Sequence, residues 1–195
     1  MRHETYFTSD THFGHRNIIR YCGRPFNSSD HMDAELIRRW NEVVGDDDVI
    51  YHLGDFTLAG HAFARRILAQ LKGRIRVLGY PWHHDARWLP TSSGPSELYS
   101  RSGHPVEILA PVVVERLETP WRRRQQLVLC HYPFAQWDGR HHGAWHLHGH
   151  SHGTHPPDGA MLDVGVDCHD FRPVTIDQLC AHFNAQDERL AEVQA

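Results

Sequence analysis

At 195 residues the chain has the length of one domain that buries a core without disulfides or a partner subunit, and residues 1-195 are read as a single domain. A balance of 40% hydrophobic and 23% charged residues excludes a disordered or membrane-embedded chain. A formal net charge of -4 gives no support for a broad nucleic-acid surface, and the run Arg122, Arg123, Arg124 reads as a solvated turn.

The first strand is expected over Glu4 to Ser9, where aromatic and β-branched residues lead into the polar cluster Asp10, Thr11, His12. Apolar residues Leu36, Ile37, Trp40, Val43 and Val44 recur at helical spacing and predict a helix over Asp30 to Val44, with Ser28, Ser29 and Asp30 as candidate caps. Val49 to Leu53 predicts a second strand, closed by Gly54 and Asp55; a helix over His61 to Lys72 is stopped by Gly73 and followed by a strand at Ile75 to Leu78. Strand, helix, strand in this order implies a parallel βαβ unit. Pro90 to Gly103, with few apolar anchors, is expected to be a surface loop. Further strands are expected at Val112 to Leu117, Gln126 to Cys130, Ala144 to His148 and Leu162 to Val166, and a last helix starts at the capping-box pair Thr175 and Gln178.

Cys22, Cys130, Cys168 and Cys180 form no CxxC pair and read as reduced thiols. Neither an apolar leader nor a membrane-length run is visible, so a cytoplasmic location is expected. The 19 histidines are the compositional anomaly, because imidazole is the commonest metal ligand and is rarely needed in bulk for packing.

Chemistry-bearing residues cluster after the predicted strands: Asp10 and His12, Asp55, His83-His84-Asp85, His131, and His150 with His152. A two-residue spacing puts Asp10 with His12, and His150 with His152, on one side of an extended backbone, where they can share an ion. Asp10, His12, Asp55, His131, His150 and His152 exceed what one tetrahedral ion takes, and a carboxylate such as Asp55 can bridge two. Carboxylate and imidazole without thiolate favour Mn, Fe, Zn, Co or Ni. Two ions about 3.5 to 4 Å apart suit phosphoryl hydrolysis. A lone Asp or His at a strand end is ordinarily a cap or a hydrogen-bonded residue; the combination carries the reading. His141, His142, His146 and His148 are assigned no metal role, and Trp82, Trp88, Trp137 and Trp145 read as core or rim aromatics.

The order Asp10-x-His12, Gly54-Asp55, Gly79 to Asp85, His131 and Gly149-His150-x-His152 resembles the calcineurin-like metallophosphoesterases, and Thr8 to His15 with Arg24-Pro25-Phe26 is similar to their compact bacterial and phage branch. The resemblance implies a four-layer α/β/β/α sandwich with a dinuclear site at the strand ends. It implies that Asp10, His12 and His152 hold one metal, that His131 and His150 hold the other, and that Asp55 bridges them. Where that family has Gly-Asn-His-Asp or Glu, this chain reads Gly79-Tyr80-Pro81-Trp82-His83-His84-Asp85. The alignment places His83 at the Asn ligand position; in the other reading the Asn is lost and the second site is weak. His84, held by Asp85, is expected to protonate the leaving group, with a metal-bridging hydroxide as nucleophile. His15, Arg16, Asn17 or Arg24 is expected to touch substrate phosphate oxygens. The expected function is therefore a phosphodiesterase or phosphatase acting on a small or nucleotide-like phosphate ester with two divalent ions, Mn in vitro. A nuclease and a non-catalytic metal-binding scaffold are the alternatives. No membrane partner is expected, and the oligomeric state is left open.

Overall fold

The computed structural model describes residues 3–79, 84–90, 92–119, 122–156 and 159–193, the side chains of 186–193 excepted. In chain order its elements are β1 (Thr5–Thr8), α1 (Arg16–Tyr21), α2 (Ser29–Val43), β2 (Val49–His52), α3 (His61–Leu68), β3 (Arg74–Leu78), β4 (Gly94–Tyr99), β5 (Pro105–Leu109), β6 (Val112–Leu117), β7 (Gln125–Cys130), β8 (Trp145–His148), β9 (Met161–Asp163), β10 (Val174–Thr175) and α4 (Ile176–Val193). They make a mixed α/β structure with two sheets, ordered β10-β1-β2-β3-β5-β4 and β6-β7-β8-β9. β1, β2, β3 and β5 run parallel, as do β7, β8 and β9.

Alternation along the strands separates two apolar clusters. Tyr6, Ile50, Ile75 and Val77 pack with Met32, Leu36 and Trp40 of α2 and Ala64, Ile67 and Leu68 of α3. Their neighbours Phe7, Tyr51 and Leu78 point the other way, onto Leu127, Leu129 and Leu147 of the second sheet and Leu179 and Phe183 of α4. The central strands β1 and β2 are therefore covered on both faces, which is why they read as short apolar runs. The outer face of the second sheet packs Val128 and Met161 against Trp137 and Ala144, with a 3₁₀ turn at Arg140–His142 in the segment between. No helix among the described residues is long and apolar enough to cross a membrane.

The departures from expectation have local causes. α3 stops at Leu68 rather than Lys72 because α2 captures the following backbone: Asn41 Nδ2 donates to Gln70 O, Lys72 N donates to Asn41 Oδ1, and Trp40 Nε1 donates to Lys72 O. The expected loop from Pro90 to Gly103 contains β4, an edge strand with only Leu98 buried, too polar to signal itself. β5 and the short α1 were not legible either. The expected strand from Leu162 to Val166 ends at Asp163, whose own carboxylate accepts from Gly165 N (2.8 Å) and bends the chain.

Two caps are as the sequence implies. Thr175 and Gln178 bond reciprocally (2.9 and 3.1 Å), opening α4. Ser28 Oγ accepts from His31 N (3.1 Å) at the start of the 15-residue α2. Ser28→Ala is expected to lower unfolding stability by about 1 kcal/mol in a denaturant titration, with the slope of the transition unchanged.

Candidate metal centre

Parallel strands deliver their C-terminal ends to one edge of each sheet, and the loops leaving those ends meet there. Asp10 N donates to Gly54 O (3.0 Å), His12 N to Asp55 O (2.9 Å) and Phe13 N to Phe56 O (2.8 Å), so the loops after β1 and β2 are zipped along their backbones. Buried His52 locks the same pair: Nε2 bonds Thr11 Oγ1 (3.0 Å) and Nδ1 accepts from Gly54 N (3.2 Å), while Thr11 Oγ1 donates to Phe56 O. Burial pushes the His52 pKa down to about 3, consistent with a neutral ring donating through Nε2. From the second sheet, Gly149 N donates to His131 O (3.0 Å) and His150 N to Asp10 Oδ2 (2.9 Å), joining the loops after β7 and β8 to the first pair.

This convergence produces two ligand groups, Asp10 with His12 and His152, and Asp55 with His131 and His150, the candidate donor atoms in each lying within 4.8 Å of one another. Asp10 Oδ1 stands 4.0 Å from His12 Nε2 and 3.9 Å from His152 Nε2; Asp55 Oδ2 stands 3.4 Å from His12 Nε2 and 3.6 Å from His131 Nε2. Asp55 thus faces an imidazole from each group. Most of these separations are too long for hydrogen bonds. They approach the ~3.4 Å expected between two tetrahedral ligands each about 2.1 Å from a common ion.

Asp10 Oδ1 and His12 Nε2 are both buried without a hydrogen-bond partner, an arrangement that costs about 1–3 kcal/mol per group unless something compensates it. A divalent cation satisfies both, so the donor set fits one. Burial, with the charge of Asp55 adding to it, raises the Asp10 pKa to about 7, partly offset by His152; burial drives His12 well below the ordinary imidazole value and keeps the ring neutral, with one nitrogen free of a proton.

The backbone at the site is strained at the same residues. Among the described residues, seven non-glycine residues have left-handed φ, and five of them are Asp10 (57°), His12 (52°), Asp55 (55°), His150 (66°) and His152 (45°). At about 1 kcal/mol or more each, the five together cost on the order of 5 kcal/mol, comparable with the net stability of a whole domain. Folding alone gives no return for placing the strain on these five residues.

A second set of residues holds the ligands in place, and the sequence did not signal it. His152 donates from Nδ1 to Asp167 Oδ2 (2.6 Å), which turns Nε2 toward Asp10. Asp167 is gripped by Arg24 through Nε (2.7 Å) and Nη2 (2.8 Å), and the same guanidinium donates to Thr11 O (3.0 Å) and Asp10 O (2.7 Å). Arg24 is 4% exposed and bound inside the protein, which leaves His15, Arg16 and Asn17 of the four residues expected near a substrate phosphate. Burial works against a charged Asp167, but the bonds from His152 and Arg24 outweigh it and hold its pKa below the usual carboxylate value. His152 likewise resists burial and is raised by Asp167 and Asp10. Asp163 shapes the loop that carries His150 and His152, accepting at Oδ2 from Ser151 Oγ (2.6 Å) and Gly153 N (2.9 Å).

The expected His84–Asp85 dyad does not form. Asp85 is buried and accepts from Phe56 N (3.1 Å), Thr57 N (3.0 Å) and Trp88 Nε1 (2.7 Å), so it braces the loop after Asp55. His84, in a 3₁₀ turn at His84–Arg87, is exposed at the rim with its ring centroid 6.3 Å from that of His12. His83 lies outside the described residues. His146 and His148 are buried and bonded to backbone carbonyls, Val128 O and Gly149 O respectively, so they brace the second sheet. Cys22 stands near His152 and Asp167, but burial lifts its thiol to about 11, which keeps it protonated. All four cysteines are free.

Two outcomes follow for metal uptake. Asp167→Asn is expected to weaken Mn2+ binding roughly 10- to 100-fold in calorimetric titration, since His152 loses its orienting acceptor. Because the folded-state pKa of Asp10 is raised to about 7, its contribution to metal-free stability is complete below the ordinary carboxylate range and is lost as pH rises toward 7. Mn2+ uptake must then release a proton. Titrations near pH 6.5 in buffers of different ionisation enthalpy should show this release, which Asp10→Asn removes.

No family model matches the chain. It is 30% identical over 181 residues to uncharacterized protein MJ1445 of Methanocaldococcus jannaschii, covering 88% of this chain and 86% of that one. It is 29% identical over 171 residues to the gene 66 protein of Mycobacterium phage L5, covering 76% and 77%. The crystal structure of the protein of unknown function AQ665 from Aquifex aeolicus superposes with a TM-score of 0.65 at 20% identity, over 92% of this chain and 99% of that one, a likeness of fold. By the first of these similarities, the chain belongs to the family of protein MJ1445.

Proposed function

We propose that this protein is a metal-dependent phosphoesterase of the calcineurin-like kind, hydrolysing a phosphodiester or phosphomonoester with two divalent cations. The observation that carries this reading is the coincidence of ligand chemistry with strain: the five left-handed Asp and His residues all belong to the two ligand groups. In this reading one cation is held by Asp10, His12 and His152, the other by His131 and His150, with Asp55 shared. The two sheets back to back, with α2 and α3 outside the first, are then a reduced form of the four-layer sandwich, its last layer represented by the segment around Trp137.

Bound there, a pair of divalent cations supplies Lewis acidity to the phosphoryl group and a nucleophile at neutral pH. The chain's own residues do the rest. Asp167 holds the proton on His152 Nδ1 so that Nε2 faces Asp10. Asp85 fixes the backbone that presents Asp55. His84, exposed beside His12, is placed to give a proton to a leaving oxygen and recover it from solvent rather than from Asp85.

Asp55→Asn is expected to lower Mn2+-dependent turnover of bis-p-nitrophenyl phosphate at least ~100-fold, by analogy with the loss of a charge-stabilising group. Running a monoester and single-stranded DNA alongside ranks the substrate classes. Turnover by Asp55→Asn equal to the wild type, or none by the wild type with Mn2+ or Co2+, would overturn the reading in favour of a metal-binding scaffold.

A further inference from the structure

A ridge beside the first ligand group, running from His15 to Tyr21, contributes no residue to either candidate ligand group. His15, half-buried, leans on His12 at a 51° tilt with 5.3 Å between ring centroids and 3.4 Å between their Nδ1 atoms, and Tyr21 meets His15 edge-on at 6.4 Å. Tyr21 is 64% exposed, more than the other exposed large hydrophobics of the described residues. α1, which joins His15 to Tyr21, has the sequence RNIIRY: Ile18 anchors it in the core, while Arg16, Asn17 and Arg20 are exposed. The Arg20 guanidinium lies 5.3 Å from the Tyr21 ring. In a chain of net charge -4, this helix carries two cations and no acid, directly outside the site.

Singly exposed hydrophobic side chains are ordinary on a protein surface, so it is the setting of Tyr21, beside the site and under an arginine, that distinguishes it. What the ridge offers is a flat π surface and cationic groups, two ring steps from a ligand position. That combination recognises a ligand that is anionic at one end and aromatic at the other. A nucleobase stacks on tyrosine whatever its sequence identity, and arginine beside the ring adds attraction to base and phosphate alike.

We infer that Tyr21, with Arg16 and Arg20, forms a base-stacking subsite, so that the ligand of this site is a nucleotide rather than an alkyl or sugar phosphate. The inference rests on the phosphoesterase reading for the position of the phosphate at the ligand groups. Tyr21 and the arginines touch the base and the distal part of the ligand; they take no part in the bond-breaking step.

The test is binding, measured by calorimetry on the full chain with Mn2+ present, with adenosine 5′-monophosphate and ribose 5-phosphate as probes. The nucleotide is expected to bind about tenfold more tightly than the sugar phosphate. Tyr21→Ala is expected to erase that difference while shifting sugar phosphate affinity less than about twofold, and Tyr21→Phe to retain it. Equal affinities for the two probes in the wild type, absence of nucleotide binding at millimolar concentration, or a preference that survives Tyr21→Ala would each overturn the subsite. Failure of the phosphoesterase reading looks different: the nucleotide preference and its loss in Tyr21→Ala persist, while no ester is hydrolysed. The subsite then stands as a nucleotide-binding feature.

Discussion

The buried guanidinium of Arg24 is the interaction on which the strand-end site depends. It neutralises Asp167, accepts its position from two backbone carbonyls of the first ligand loop, and through Asp167 sets the ring of His152. A guanidinium suits this role because its donors are fixed in a plane and always charged, which a lysine ammonium does not reproduce. Burying such a pair repays its desolvation only when every donor is used. Here the fifth N–H, on Nη1, meets Met32 Sδ (3.4 Å), so the geometry meets that condition, and the return is taken as position: the loop after β1, the helix α1 beyond it and the loop after β8 are referred to one point.

That bracing explains how the strain at the ligands is tolerated. Left-handed Asp10, His12, Asp55, His150 and His152 would relax toward ordinary backbone geometry if their loops were free. They are held by backbone bonds between loops, by His52 against Thr11 and Gly54, by the Asp85 carboxylate on the successive amides of Phe56 and Thr57, and by Asp163 on Ser151 Oγ and Gly153 N. The polar interior is thus arranged in two tiers. The outer tier is bonded within the protein, and the inner tier gathers into the two candidate ligand groups.

The six inner residues stand out in the sequence and the outer ones do not, but the extended spacing expected for Asp10 with His12 and for His150 with His152 is not found. All four have left-handed φ, and His150 and His152 fall in different groups. Asp10, His12, Asp55, His131, His150 and His152 each follow an apolar run that announces a strand, so position and chemistry are written side by side. Arg24 and Asp167 are 143 positions apart, and nothing local marks either as a partner of the other. In the sequence Asp85 reads with its neighbour His84 as a dyad, whereas two of its three donors, Phe56 N and Thr57 N, belong to another strand's loop and the third is Trp88 Nε1. The same divide holds in the fold. β1, β2, β3, β7 and β8 signal themselves through burial, but β4 lies at a sheet edge and α1 is six residues long with one buried side chain, so neither carries enough apolar pattern to be seen.

Two glycines show how closely the sheets must approach for the site to exist. Ser9 and Gly165 form a parallel bridge, and Val166 N donates to Ser9 O (3.1 Å), so the first strand of one sheet meets the chain leaving the last strand of the other at the ligand edge. A Cβ on Gly149 would collide with Ser9 Oγ and Asp10 Oδ2, and one on Gly165 would come within 2.8 Å of Asp163 Oδ1 and 3.0 Å of Asp10 Oδ2. Backbone from β8 and β9 therefore passes within contact distance of the Asp10 carboxylate, closer than any side chain at those positions allows. The ligand groups draw residues from both sheets, and they can do so only because the sheets touch through backbone at this edge. Sheet packing and site assembly are the same contact, so a change that loosens one loosens the other.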